Sequence, residues 1–165
     1  MTVNTHIFFW PYAPNCRSSR NSFFKKVSDK IQEGGIGIPI VGGDFNETFK
    51  IIDRKTSRSN QNNQPTSSFK NLIKSNKLVD IWRYLNGNIQ QYTWRRKDRS
   101  QASRIDLILI DTDFINLVEF CKIKPGVIQS TYHQSVFLKF NPGLTEKGNG
   151  YWKINNSVLQ EEYKK

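Results

Sequence analysis

In Ile38-Pro39-Ile40-Val41-Gly42-Gly43-Asp44-Phe45-Asn46 an apolar run meets two glycines, and a carboxylate and a carboxamide then follow two positions apart. The run predicts a buried strand. The glycines let the backbone turn sharply at its end. If the chain stays extended there, Asp44 and Asn46 point the same way. A carboxylate can orient or deprotonate a water, and an amide N–H can answer negative charge building on a phosphate. Gly, Asp and Asn are also ordinary turn residues, so a strand ending in a polar turn reads the same.

Working upstream, residues 20–33 predict an amphipathic helix. Phe23, Phe24, Val27 and Ile31 share one face, and Lys25, Lys26, Asp29 and Lys30 lie largely opposite. Gly34 and Gly35 end it. Residues 5–10 contain Ile7, Phe8, Phe9 and Trp10 and predict another strand. Pro11 closes that strand into a rigid turn with Tyr12, Ala13, Pro14 and Asn15. The Tyr12 phenol either donates to a phosphate oxygen or packs on the core. A helix between two such strands predicts a crossover in a layered α/β domain.

Downstream, residues 47–64 form a long polar loop carrying Arg54, Lys55 and Arg58. Residues 65–77 predict a short helix with Phe69, Leu72 and Ile73 on its apolar face. Residues 78–84 are expected to pack back on the sheet. Residues 92–96 and 103–110 predict a hairpin around a polar turn at 97–102. Asp106 sits inside the apolar run of its second strand, where a carboxylate needs a partner. One candidate is Arg104, on the same face by period two; the other is a histidine that Asp106 would orient. Residues 118–124 and 135–140 predict two more strands, and His133 stands just before the last. A histidine is most often structural, but one paired with a carboxylate can serve as an acid or a phosphate binder. From Asn141 onward the composition turns linker-like, and residues 157–163 predict a short helix.

Lys and Arg number 25 against 14 Asp and Glu, a formal charge of +11, which favours an anionic partner such as nucleic acid. The densest basic stretch is Arg95, Arg96, Lys97, Arg99 and Arg104. With 36% hydrophobic residues the chain is expected to be globular, and no apolar run is long enough to span a bilayer. No signal peptide is read at the start. Cys16 and Cys121 lack metal-ligand spacing and are read as free thiols of a reducing compartment. The expected location is intracellular, in the nucleus, the cytoplasm or both.

Tyr12-Ala13-Pro14-Asn15, Gly43-Asp44-Phe45-Asn46, Ser103-Arg104-Ile105-Asp106 and Thr131-Tyr132-His133, in that order, resemble the endonuclease/exonuclease/phosphatase superfamily. The nearest likeness is to the abasic-endonuclease-like domain of LINE-type, non-LTR retrotransposon proteins. Tyr92-Thr93-Trp94-Arg95-Arg96 adds to it. So does Gly150-Tyr151-Trp152-Lys153-Ile154-Asn155, which resembles the connector toward a reverse transcriptase.

The resemblance implies an α/β fold, a four-layer sandwich present in part and lacking its N-terminal strands. It divides the chain into the C-terminal portion of that domain, residues 1–141, and a linker and connector, residues 142–165. It implies Mg²⁺-dependent cleavage of DNA phosphodiesters by water. In that scheme Asp44 activates the water, Asn46 stabilises the charge, Tyr12 contacts the phosphate, and Asp106 holds His133 against the transition state. Asn15, Thr93, Arg95, Arg96 and Arg104 would serve the nucleic-acid surface. DNA is the expected partner, with no membrane and no small-molecule cofactor.

Two departures stand out. The family's metal-binding Glu, and an Asn, precede the Tyr-Ala-Pro-Asn strand, and nothing before Thr5 can supply them. Tyr132 stands where the family has an Asp, so the metal ligands are not assigned. The expectation is therefore a DNA-nicking domain impaired as this stretch. The rivals are a non-catalytic basic nucleic-acid-binding remnant, a phosphatase of the same superfamily, and a decayed element.

Overall fold

The computed structural model describes residues 6–34, 37–55, 64–125 and 132–141. Expectations for Gly35, the middle of the polar loop with Arg58, Thr131, and the linker and helix beyond residue 141 lie outside the described residues. Among the described residues no helix is long and apolar enough to cross a membrane.

The opening stretch forms β2 (Ile38–Asp44), an inner strand of a four-stranded sheet. Upstream, β1 (His6–Phe9) lies parallel to β2, joined by α1 (Arg17–Glu33). That is the expected crossover, with the helix starting one turn earlier than its apolar periodicity indicates. On the other side β2 pairs antiparallel with β7 (Asp106–Asp111), and β7 pairs with β4 (Leu78–Asp80). Between them α2 (Ser67–Ser75) begins where the Thr66 hydroxyl accepts from the Phe69 amide at 3.3 Å. The short α3 (Ile81–Asn86) begins where the Asp80 carboxylate accepts from the Arg83 amide at 3.1 Å.

Both faces of the sheet are covered, which is why β2 and β7 read as continuous apolar runs. Val41, Leu107 and Leu109 meet Phe24 of α1 and Phe69 and Leu72 of α2. Ile38, Ile40, Ile108 and Ile110 face the other way, against Trp82 of α3 and Cys121 and Ile123 of a separate hairpin. That hairpin is β8 (Val118–Lys124) with β9 (Ser135–Phe140), antiparallel with an irregularity after Val118. Helices, mixed sheet and strand hairpin stack in layers, the α/β architecture expected.

One expectation gives way. Residues 103–110 are not one strand. β6 (Ala102–Ser103) pairs with β5 (Trp94–Arg95) and β3 (Arg54–Lys55) in a small second sheet, while β7 joins the large one. The chain changes sheets at Arg104 and Ile105. The Arg104 amide donates to the Asp53 carbonyl at 2.8 Å, and the Ile105 carbonyl accepts from the Phe45 amide at 2.9 Å. A face shared by Arg104 and Asp106 therefore does not exist.

The change of sheet is anchored by a buried ionic knot. The Arg104 Nε donates to Asp53 at 2.8 Å, and its terminal nitrogens reach both oxygens of Asp80 at 3.1 and 2.5 Å. Arg83 also donates to Asp53, and both guanidiniums lie over the Trp82 ring, 4.9 and 5.0 Å from its centroid. Arg104 and Asp53 are fully buried. Burial alone would raise the Asp53 pKa, but the Arg104 and Arg83 charges outweigh it and hold the carboxyl below the usual range. Burial likewise opposes the Arg104 charge, and Asp80 and Asp53 overturn that.

Candidate active site

The antiparallel register of β2 and β7 sets Asp44 directly opposite Asp106 at the end of the sheet. Cross-strand partners stand on the same face, so two carboxylates converge there. The third member arrives from the other layer. His133 makes a bridge to Trp94, the first residue of β5, and the Gln134 amide donates to the Thr93 carbonyl at 2.6 Å. His133 Nδ1 lies 3.0 and 3.2 Å from the two Asp106 oxygens. The expected pairing of imidazole and carboxylate is therefore present, and Asp106 pairs with His133 rather than with Arg104. The Asp106 hydrogen bond raises the His133 pKa, the burial it suffers opposes this, and the charges of Asp106 and Asp44 add to the rise.

Asp44 is raised too, first by desolvation; the Asn46 amide opposes that, and Asp106 adds its like charge. Its Oδ1 accepts from the Asn46 amide at 2.9 Å, closing a turn over Phe45. The chain does not stay extended: Asn46 sits at φ 48°, a conformation asparagine tolerates better than most residues. Asn46 still reaches the same cleft as Asp44, because its Nδ2 donates to the Ala13 carbonyl at 2.7 Å. Arg20 fastens this turn from α1, bonding the Asn46 carbonyl at 2.5 Å and the buried Glu47 at 2.8 Å.

Tyr12 is brought in by close approach of two backbones. The Ala13 amide donates to the Asp44 carbonyl at 2.8 Å, and Tyr12 bridges to Asp44. At Gly43, φ 158°, a Cβ would stand 2.1 Å from the Pro11 carbonyl oxygen, so only glycine lets the loop lie there. Tyr12 is 68% exposed, its ring open to a ligand instead of packed in the core.

Tyr12, Asn15, Asp44, Asn46 and His133 line one open cleft of about 590 Å³. Asp106 faces the adjoining groove, which shares Tyr12, Asp44 and His133 with it. Arg54, Lys55 and Trp94 also line the cleft. Sequence reasoning assigned none of these three to the site, although Arg54 and Lys55 stood out as basic residues in the polar loop.

The proposed nucleic-acid residues divide. Arg95 and Arg96 are exposed, Arg95 over the Tyr92 ring at 5.2 Å and Arg96 beside Asp98 at 3.4 Å; neither lines the cleft. Arg104 is corrected: it is fully buried in the knot with Asp53 and Asp80 and offers nothing to a ligand. Thr93 is corrected likewise: its side chain is buried, and its hydroxyl is engaged by backbone amides.

Asp44, Asp106 and His133 form the single grouping of potential metal-ligating side chains among the described residues, with one donor atom from each within 4.8 Å of the others. The set suits Mg²⁺ poorly. That ion takes oxygen donors in near-octahedral array, usually one or two carboxylates with waters and phosphate. Here one donor is an imidazole, and both Asp106 oxygens lie against its Nδ1. Asp44 is the remaining carboxylate.

No family model matches the chain. In sequence it is similar to an uncharacterised 149 kDa protein of transposon TX1 from Xenopus laevis, 29% identical over 154 residues, 92% of this chain. The chain spans only 12% of that protein's length. In structure it is similar to a 3′ phosphatase from Neisseria solved with a product DNA hairpin, at TM-score 0.62 and 18% identity over 75% of this chain and 52% of that one. A 3′-5′ exonuclease from Neisseria meningitidis matches at TM-score 0.60 and 19% identity, over 75% of this chain and 52% of that one. An AP endonuclease from Archaeoglobus fulgidus matches at TM-score 0.66 and 16% identity, over 81% of this chain and 60% of that one. The chain therefore shares the α/β fold of these exonuclease, AP endonuclease and phosphatase structures, and in sequence it is similar to a transposon protein.

Proposed function

We propose that this domain hydrolyses DNA phosphodiesters, nicking one strand. The observation that carries the reading is the convergence of Asp44, Asn46, Tyr12 and the Asp106–His133 pair on one open cleft edge in a strongly basic chain. Asp44, half-buried with its pKa raised by desolvation, accepts a proton from the attacking water. The water oxygen bonds to phosphorus as the bond to the departing sugar oxygen breaks. His133, whose cationic form the Asp106 hydrogen bond favours, and the second amide hydrogen of Asn46 answer the charge spreading over the phosphate oxygens. Tyr12 donates to the phosphate and holds it in line. Arg95 and Arg96 bind flanking phosphates, a contact that salt weakens.

Dependence on Mg²⁺ is part of the proposal and rests on the family resemblance. The ion would supply positive charge to the phosphate; the described residues offer it no dedicated carboxylate set, so no step is assigned to it. Tyr132 in place of an acidic residue beside His133 offers a phenol and no carboxylate there, so turnover of this stretch is expected to be slow.

Incubation with supercoiled plasmid and Mg²⁺ tests the reading. Slow conversion to nicked circles is expected, lost by two or more orders of magnitude in His133→Ala and equally in Asp44→Ala. Nicking that survives both substitutions would refute it. Salt-sensitive DNA binding without any cleavage would favour the non-catalytic remnant instead. Phosphate release from a 3′-phosphorylated oligonucleotide without strand cleavage would favour a phosphatase.

A further inference from the structure

Thr93 does not line the cleft, yet it bonds the backbone of Asp106 and of Gln134, the residue after His133. Its Oγ1 accepts from two successive backbone amides, Ile105 at 3.1 Å and Asp106 at 3.0 Å. These are the amides at which the chain leaves the small sheet and enters β7. A hydroxyl oxygen has two lone pairs, and two amides address them. On the main-chain side the Thr93 amide donates to the Ser103 carbonyl at 3.1 Å, and its carbonyl accepts from Gln134 at 2.6 Å. The next two residues continue the tie: Trp94 bridges His133, and the Arg95 amide donates to the Tyr132 carbonyl at 3.1 Å. Residues 105–106 and 132–134 are far apart in sequence, and this one buried residue bonds both segments.

We propose that Thr93 is the positioning residue of the Asp106–His133 pair, its hydroxyl fixing where Asp106 enters β7 and its carbonyl fixing the segment that carries His133. Buried amides need acceptors, and a valine of the same branching would leave two of them unserved at the change of sheet. The backbone there would turn toward another acceptor and carry the Asp106 carboxylate with it. Serine keeps the acceptor and loses only a methyl group.

The test uses Thr93→Val and Thr93→Ser with ¹⁵N resonances of the His133 ring, assigned against His133→Gln, at alkaline pH where the ring is neutral. In the parent chain the proton sits on Nδ1, facing Asp106. Thr93→Val is expected to move the population toward the Nε2-protonated tautomer, and Thr93→Ser to keep the parent ratio. The same pair should separate kcat, about 10–100-fold lower in Thr93→Val, from a KM little changed. Only this kinetic arm rests on the hydrolytic reading; the tautomer arm decides the proposal in a chain that cuts nothing. A folded Thr93→Val with the parent tautomer ratio would overturn it, as would a Thr93→Ser as disturbed as Thr93→Val. Should Thr93→Val fail to fold, Thr93→Cys, with a weakly accepting sulfur, carries the same test, and a parent ratio there overturns the proposal.

Discussion

Two polar clusters of similar composition sit on opposite sides of the Arg104–Ile105 change of sheet, and they behave in opposite ways. In the knot of Asp53, Asp80, Arg83 and Arg104 each charge meets an opposite charge with bonded geometry, and the group is sealed from water. In the cluster of Asp44, Asp106 and His133 two carboxylates share one imidazole beside an open cleft. The Asp53 pKa is lowered from its ordinary value, and the Asp44 pKa is raised from it. Matched charge in a dry place holds the fold; mismatched charge at a wet edge leaves a carboxylate ready to take a proton.

The contrast is broken most forcefully at Arg104. Arg104→Met removes one guanidinium from two buried carboxylates and is expected to cost about 3–5 kcal/mol, read from urea unfolding. A loss too small to separate from the parent would mean the knot is decoration.

Next comes Asp44→Asn, which should do the reverse. It removes a charge that desolvation and Asp106 both disfavour, and the carboxamide still accepts from the Asn46 amide. The unfolding temperature is expected to rise by about 1–3 °C while nicking is lost. A fall in that temperature would show that the cluster is built for stability after all.

The smallest effect is a matter of pH. The folded His133 pKa lies above its ordinary 6.5, so the pair contributes stability fully below that value and loses it as pH rises through the folded one. His133→Gln should therefore unfold more easily than the parent in mild acid and equally at alkaline pH. The knot runs the other way: Asp53, lowered, contributes above the ordinary carboxylate range and is lost only as pH falls through its folded value. A His133→Gln deficit that grows toward alkaline pH would reverse the assignment.

How far the sequence carried can be judged from single residues. The strand ends and turns that hold Asp44, Asn46, Tyr12 and His133 were legible because their signals are local, an apolar run, a proline and a pair of glycines, and the family resemblance singled out the residues themselves. Their expected geometry was still partly wrong, since Asn46 leaves the extended conformation and regains the cleft through the Ala13 carbonyl. The break between β6 and β7 was not legible. Residues 103–110 have every local mark of one strand, and what bends them is a buried bond to Asp53, 51 residues earlier. Local propensity is overruled there by a partner that periodicity cannot reveal. Arg104 was misread for the same reason: an arginine amid basic neighbours looks like a DNA contact until its carboxylates are located. Arg54 and Lys55 reached the cleft only because a two-residue strand lies in what reads as a featureless loop.

The clearance at Gly43 has a consequence for how this edge can vary. One methyl group there would collide with the Pro11 carbonyl, and relief would come by lifting the whole proline turn off the sheet. Such a lesion would move the phenol and the carboxylate apart without touching either. The width of the cleft's mouth is thus set by Gly43, a position that carries no side chain.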